Sequence, residues 1–278
     1  MSHALRQRLS AIRRFVGVGP VVGGALAVVA FAVGLVWGVP HPAAPWALQY
    51  ADAALGSGRP DQAVQMYEQV ARRHPDATMR TQARHRAALV YATQLMRPDQ
   101  ARHQLEALLA ITGMPTARGD LLESIGELLL EEGQPEGAAA RFQGSAKADP
   151  ESPRAGERLL RAGRTLAASR RDKQAEAVLR RVVRDHPELK GHAELARANL
   201  KLRRGKIEQA LARFEAAIGS TYDPDVLSVA RLGRTTCLER LGDLDSALAE
   251  LEEIDDIDAD VRVEREASLR SRRWSGPR

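Results

Sequence analysis

At 278 residues the chain has room for one or two ordinary domains, and with only 4% aromatic residues it offers few platforms for stacking on bases or sugars. The single cysteine, Cys237, excludes an intramolecular disulfide and a multi-cysteine metal site, and no cysteine follows the apolar N-terminal segment to carry a lipid there. The net charge of +5 suggests nucleic acid only until it is located: residues 1–40 hold four arginines (Arg6, Arg8, Arg13, Arg14) and no acid, and removing them leaves 37 basic against 36 acidic residues, so no nucleic-acid partner is expected.

Residues 1–15 form a short basic arm, which the positive-inside rule keeps in the cytoplasm. Residues 16–39 follow as an apolar run, and no Asp, Glu, Lys or Arg occurs from Phe15 through Ala51. About 20 helical residues cross a hydrocarbon core of roughly 30 Å, so the run is long enough for a transmembrane helix. Pro20 stands near its start, where proline harms a helix least, and Trp37 and Trp46 lie at the far end, where aromatic rings suit the interface. The lipid bilayer is therefore an expected partner. Two alternatives stay open. A cleaved secretory signal peptide is disfavoured by the length and by the poor cleavage site Gly-Leu-Val-Trp-Gly-Val-Pro at 34–40; a mitochondrial presequence is suggested by the Arg-rich start. In a bacterium the anchor reading gives a single-pass inner-membrane protein with residues 40–278 in the periplasm. Gly19, Gly23, Ala27, Ala30 and Gly34 recur along the run, and spacings of four let two spans approach as a homodimer, although small residues are also common in single spans.

Beyond the run the chain repeats itself. Six segments share one pattern: Gly-Arg-Pro-Asp-Gln-Ala at 58–63, Met-Arg-Pro-Asp-Gln-Ala at 96–101, Gly-Gln-Pro-Glu-Gly-Ala at 133–138, Arg-Arg-Asp-Lys-Gln-Ala at 170–175, Gly-Lys-Ile-Glu-Gln-Ala at 205–210 and Gly-Asp-Leu-Asp-Ser-Ala at 242–247. Their alanines, Ala63, Ala101, Ala138, Ala175, Ala210 and Ala247, are 35 to 38 residues apart. Glycine ends one helix through a left-handed turn, and proline with the following acid opens the next. The alanine marks the contact of two antiparallel helices. Four residues on, a larger apolar side chain shares its face: Tyr67, Leu105, Phe142, Leu179, Phe214 or Leu251.

The spacing Gly–x4–Ala–x3–aromatic–x7–Pro resembles the second half of the tetratricopeptide repeat. The first repeat carries it in full (Gly58, Ala63, Tyr67, Pro75), as does the third (Gly133, Ala138, Phe142, Pro150), where Gly126 also matches the small residue of the first helix. The fourth supplies Gly163 at that place, with Ala175 and Pro187; the fifth has Gly205, Ala210 and Phe214. The second has Met96 for the turn glycine, and the sixth, with Gly242 and Ala247, lacks the closing proline. The spacing exceeds the family's roughly 34 residues. The resemblance implies an all-α fold, a superhelix of about six helical hairpins over residues 40–261, preceded by the transmembrane helix. Residues 262–278 are expected to supply a basic capping helix and tail, with Arg262, Arg265, Arg270 and Arg272 kept in water and a loose end from Trp274.

The same resemblance places positions two, five, nine, twelve and thirteen of each first helix on a concave face. That groove then presents Arg86, Arg164, Asn199 and Arg203, with an acidic band of Asp120, Glu123, Glu127 and Glu131. The lysine and asparagine clamp of chaperone-binding members is missing, because Leu195 stands at position five of the repeat that carries Asn199. Charges of mixed sign imply a taste for basic or amphipathic segments over an acidic tail; the alternative is that they pair across repeats and bind nothing.

Catalysis is not expected. There is no phosphate-binding loop, no Gly-x-Ser-x-Gly and no His-Glu-x-x-His, and no cofactor or metal is implied. His74 and His186 both precede a closing proline, which marks shared architecture. The expected function is a membrane-anchored scaffold for other proteins. Its layout is similar to the ancillary subunit of the bacterial secretion translocon and to repeat proteins of envelope assembly and cytochrome maturation. Self-assembly through the span or the groove is the alternative.

Overall fold

The computed structural model describes residues 46–254 and 259–274. The expected span at 16–39 and the end of the basic tail lie outside them. Among the described residues no helix is long and apolar enough to cross a membrane.

These residues form thirteen α-helices and one short 3-10 turn, and no strand occurs among them. In chain order the helices are α1 (Ala47–Gly56), α2 (Pro60–Arg73), α3 (Ala77–Thr93), α4 (Pro98–Ile111), α5 (Pro115–Glu131), α6 (Pro135–Ala148), α7 (Ala155–Ala168), α8 (Asp172–Asp185), α9 (Lys190–Arg203), α10 (Ile207–Ile218), α11 (Pro224–Leu241), α12 (Leu244–Glu252) and α13 (Ala259–Trp274). Five open on proline, whose fixed φ and missing N–H suit the first helical position. Asp76, Asp223 and Asp243 cap α3, α11 and α12 through their side-chain oxygens.

The left-handed turn is present at all six repeats. Gly58, Gly133, Gly205 and Gly242 have φ between +69° and +85°, and Met96 and Arg170 are forced into the same region at 52° and 61°. At five of these turns, two backbone bonds close the end of the first helix. In the third repeat Gly133 N donates to Leu130 O at 3.0 Å and Gln134 N to Leu129 O at 2.7 Å.

Across each turn the alanine is fully buried in all six repeats, and its partner four residues on is buried too. Each such large side chain contributes roughly 1.5–3 kcal/mol by leaving water. Phe142 lies over Gly126 so closely that a Cβ there would stand 2.7 Å from the ring, and Leu179 covers Gly163 in the same way at 2.6 Å.

Two compact units result, Met1–Met96 and Arg97–Arg278. The first holds α1 to α3 and the second α4 to α13. The two helices of the second repeat therefore fall in different units, and five of the six expected hairpins lie within one. The degenerate repeat marks the boundary: where the others place Ala51, Gly126, Gly163, Ala198 or Thr235, all buried, it has Leu89, which is 57% exposed.

Helix α13 begins at Ala259 and packs on α12. Leu269 is fully buried with Leu238, Ala247 and Leu251. Its arginines are tied down rather than simply solvated: Arg265 donates to Thr236 Oγ1, Arg272 pairs with Glu239, and Arg273 lies 3.0 Å from Asp245.

Candidate protein-binding face

In the second unit the first helices of successive hairpins are α5, α7, α9 and α11, and the second helices are α6, α8, α10 and α12. Helix α7 touches α9, and α9 touches α11, while no two second helices pack as closely. A layer whose members approach more closely lies on the inside of the curve, so the first-helix face is the concave one.

Five of the seven charges predicted for this face, Arg86, Asp120, Glu123, Glu127 and Arg203, are committed to ion pairs, each with a residue outside the predicted set. Arg158 of α7 reaches back to α5, with Nε at 2.9 Å from Glu123 Oε2 and Nη2 at 2.5 Å from Asp120 Oδ1. Arg154 Nη2 lies 2.6 Å from the other Glu123 oxygen. Arg161 Nη1 donates to Glu127 Oε1 at 2.7 Å while its guanidinium stacks 4.8 Å over the Phe142 ring. The Arg158 side chain is 1% exposed and its Nη1 has no hydrogen-bond partner, so the Arg158–Glu123 pair is a buried ionic contact between repeats three and four, while Arg154, Asp120, Arg161 and Glu127 around it stay open to solvent. Toward the end of α9, Arg203 and Arg204 both bind Asp172 of α8, Arg204 at 2.8 Å. Burial alone would raise the Asp172 carboxyl, but the two guanidinium groups outweigh it and hold the group below its ordinary pKa.

In the first unit Arg86 pairs with Asp52, and the Tyr67 hydroxyl donates to the same carboxylate. Burial, reinforced by Asp52, pushes the Tyr67 phenol above its usual pKa. Of the eight residues expected in the groove, Glu131, Arg164 and Asn199 are exposed and in no ion pair among the described residues. Sequence reading missed Arg154, Arg158 and Arg161. A signal was available: Asp120, Glu123 and Glu127 each stand one repeat length, 34 to 38 residues, before the α7 arginine they bind.

Residues of α6, α7 and α8, among them Gln143, Leu166, Gln174 and Val178, line a groove of about 640 Å³, to which the Glu136–Arg171 pair, 2.9 Å apart, also contributes. No group of histidine, cysteine and acidic residues suited to a metal ion occurs among the described residues. Cys237 is buried, and burial raises its thiol pKa, so it is held as an unreactive thiol.

Sequence profiles described as tetratricopeptide repeat match residues 129–200 in one case and residues 48–92 and 195–261 in another, together more than half of the chain. No curated protein matches it in sequence. Among solved structures, YrrB, "a TPR protein with an unusual peptide-binding site", is 20% identical over 67% of this chain and 90% of its own, with a TM-score of 0.46. PilW, a "type IV pilus biogenesis factor", is 21% identical over 75% of this chain and 90% of its own, at 0.46. PilF of Pseudomonas aeruginosa is 16% identical over 81% and 96%, at 0.49. With the profiles, the repeated turn and the buried alanine–aromatic contacts in agreement, the chain belongs to the tetratricopeptide-repeat family.

Proposed function

We propose that this protein is a binding scaffold rather than an enzyme, holding other proteins on its repeats near a membrane. The observation that carries the binding role is the first-helix face of the second unit. Its walls are neutralised by ion pairs between repeats, and Arg164 and Asn199 remain open to solvent between them. Polypeptides suit such a face because a row of equivalent positions, one per repeat, can read a chain segment by segment.

The membrane role is supported by the uncharged run at 16–39 and the four arginines before it. In this reading residues 1–15 stay in the cytoplasm and the repeats work in the periplasm, in envelope protein secretion or assembly. Anchoring raises the effective concentration of the face near membrane machinery. Co-purification of the full chain from detergent-solubilised membranes tests the scaffold role: foreign partners are expected, and a pure homo-oligomer overturns it in favour of self-assembly. Reporter fusions after Ala51 test the topology. Activity is expected only outside the cytoplasm, and cytoplasmic activity overturns the periplasmic assignment.

A further inference from the structure

Away from the first-helix face, the hairpin turns of the second unit are stitched to one another along one edge. Arg171, at the turn of repeat four, donates through Nε to Glu136 of repeat three at 2.9 Å. Arg204, at the turn of repeat five, donates to Asp172 of repeat four at 2.8 Å, and Arg203 binds the same carboxylate. These bonds hold the turns of repeats three, four and five side by side, where first helices end and second helices begin.

Charge is unevenly distributed along this edge. In the seven residues before the alanine, repeats four and five (168–174 and 203–209) each carry three cations and one acid. In the other four repeats the acids equal or outnumber the cations. The stitching leaves Arg170, Lys173 and Lys206 exposed, with no side-chain hydrogen bond or ion pair among the described residues. Arg170 also holds φ 61°, at the position where repeats one, three, five and six use glycine. That conformation strains an L side chain, and an exposed, unpaired arginine gains no bond within the chain in return. Strain kept at such a residue points to a contact outside the chain.

The neighbouring surface indicates the kind of anion. Arg171 and Gln174 also line the groove formed by α6, α7 and α8. Ala140 and Ala177, on the same lining, are exposed and have no bulk to hold a main chain away. Gln174 is exposed and its side chain has no hydrogen bond among the described residues, so its amide can both donate to and accept from a peptide group. Neither turn carries an aromatic residue on which a base could stack, or an exposed large apolar one to enter a lipid surface.

We propose that the turn edge of repeats four and five is a second docking surface, for an acidic polypeptide segment whose carboxylates meet Arg170, Lys173 and Lys206 while its uncharged side chains enter the adjoining groove. The inference rests on the protein-binding reading and adds to it a surface outside the first-helix face and a ligand class.

The test uses the full chain in detergent at low salt, with two labelled peptides, one alternating glutamate and alanine and the other glutamine and alanine. Fluorescence anisotropy is expected to show the glutamate peptide bound at least about tenfold more tightly, equivalent to about 1.4 kcal/mol. Added salt is expected to close that gap. The triple variant Arg170→Gly, Lys173→Gln, Lys206→Gln is expected to erase it, and Lys190→Gln, an exposed position at the start of α9, to leave it. The melting temperature of the triple variant should equal or exceed that of the parent, since glycine relieves the turn and the two lysines have no partner to lose, so lost binding is not lost folding. A parent that binds neither peptide, or both equally, overturns the proposal, as does a triple variant that keeps the preference. Displacement of the glutamate peptide by single-stranded DNA or by phosphatidylglycerol in the micelle, at a lower concentration of charge than unlabelled glutamate peptide requires, overturns it in favour of a nucleic-acid or lipid surface. Native partners recovered equally with parent and triple variant overturn it while leaving the scaffold role intact; a parent that recovers no partner overturns the scaffold role.

Discussion

Two residues occupy the left-handed turn without being glycine. For an L side chain that conformation costs roughly 1–2 kcal/mol, offset in part by the entropy glycine loses on folding. Arg170, at φ 61°, is the clearer case, because its repeat keeps the two backbone bonds that close the other turns. Arg170→Gly is therefore expected to stabilise the protein by about 0.5–1 kcal/mol in urea unfolding, and unchanged or lower stability would show that the turn is not strained. The opposite holds at Glu123. Removing its carboxylate by Glu123→Ala leaves Arg158 buried beside Asp120 alone, and a loss of about 3–5 kcal/mol is expected. A loss under about 1 kcal/mol, the range of surface pairs, would mean that this contact between repeats three and four is open to water.

At the scale of elements, α8 and α9 are joined by a second buried ionic cluster. Arg197 bonds Glu176 across the helices at 2.8 Å and Glu194 within α9 at 2.8 Å, and Arg213 of α10 reaches Glu194 at 3.2 Å. Burial by itself would raise the Glu176 carboxyl, but Arg197, Lys201 and Arg180 outweigh it and hold the group below the usual glutamate value. A carboxyl lowered on folding stabilises the native state above its unfolded pKa and ceases to do so as pH falls through its folded pKa. Urea midpoints should therefore drop as the solution is acidified below the ordinary glutamate range. Glu176→Gln should flatten that drop and lower stability at neutral pH. Glu250, which burial raises, acts in the opposite sense, so the diagnostic quantity is the difference between parent and variant. Identical pH profiles would show that the α8–α9 contact does not depend on this carboxylate.

At the scale of the molecule, repeat architecture makes stability local, a sum of repeat terms and neighbour contacts. The division at Met96 extends that expectation to two units. Ala138 is fully buried where α5 meets α6, and Ala138→Leu should overpack that contact by roughly 1–3 kcal/mol. Amide hydrogen exchange is expected to lose protection through the second unit while α1 to α3 keep theirs. Equal loss in both units would show that they unfold as one body.

How much could be read in advance follows from how local each feature is. The hairpins were legible because a left-handed turn, a small residue at a helix contact and a large one four positions on are requirements on neighbouring residues, repeated six times; Gly133, Ala138 and Phe142 carry them in the order the chain is read. Family and helical class followed from that repetition alone. A capping helix was expected within residues 262–278, and the helix observed starts at Ala259; the bonds that fix its arginines to repeat six were not legible. The break within repeat two had a local sign in Leu89 and Met96, yet only packing showed that it parts two units. What tertiary structure alone decided was the fate of the charges. Glu123, Glu127 and Arg164 look alike in a sequence, each a charged residue at a first-helix position. Whether such a group is neutralised or left open depends on which side chain of the next repeat comes within about 3 Å of it, and that distance is set by how closely α5, α7 and α9 are allowed to approach.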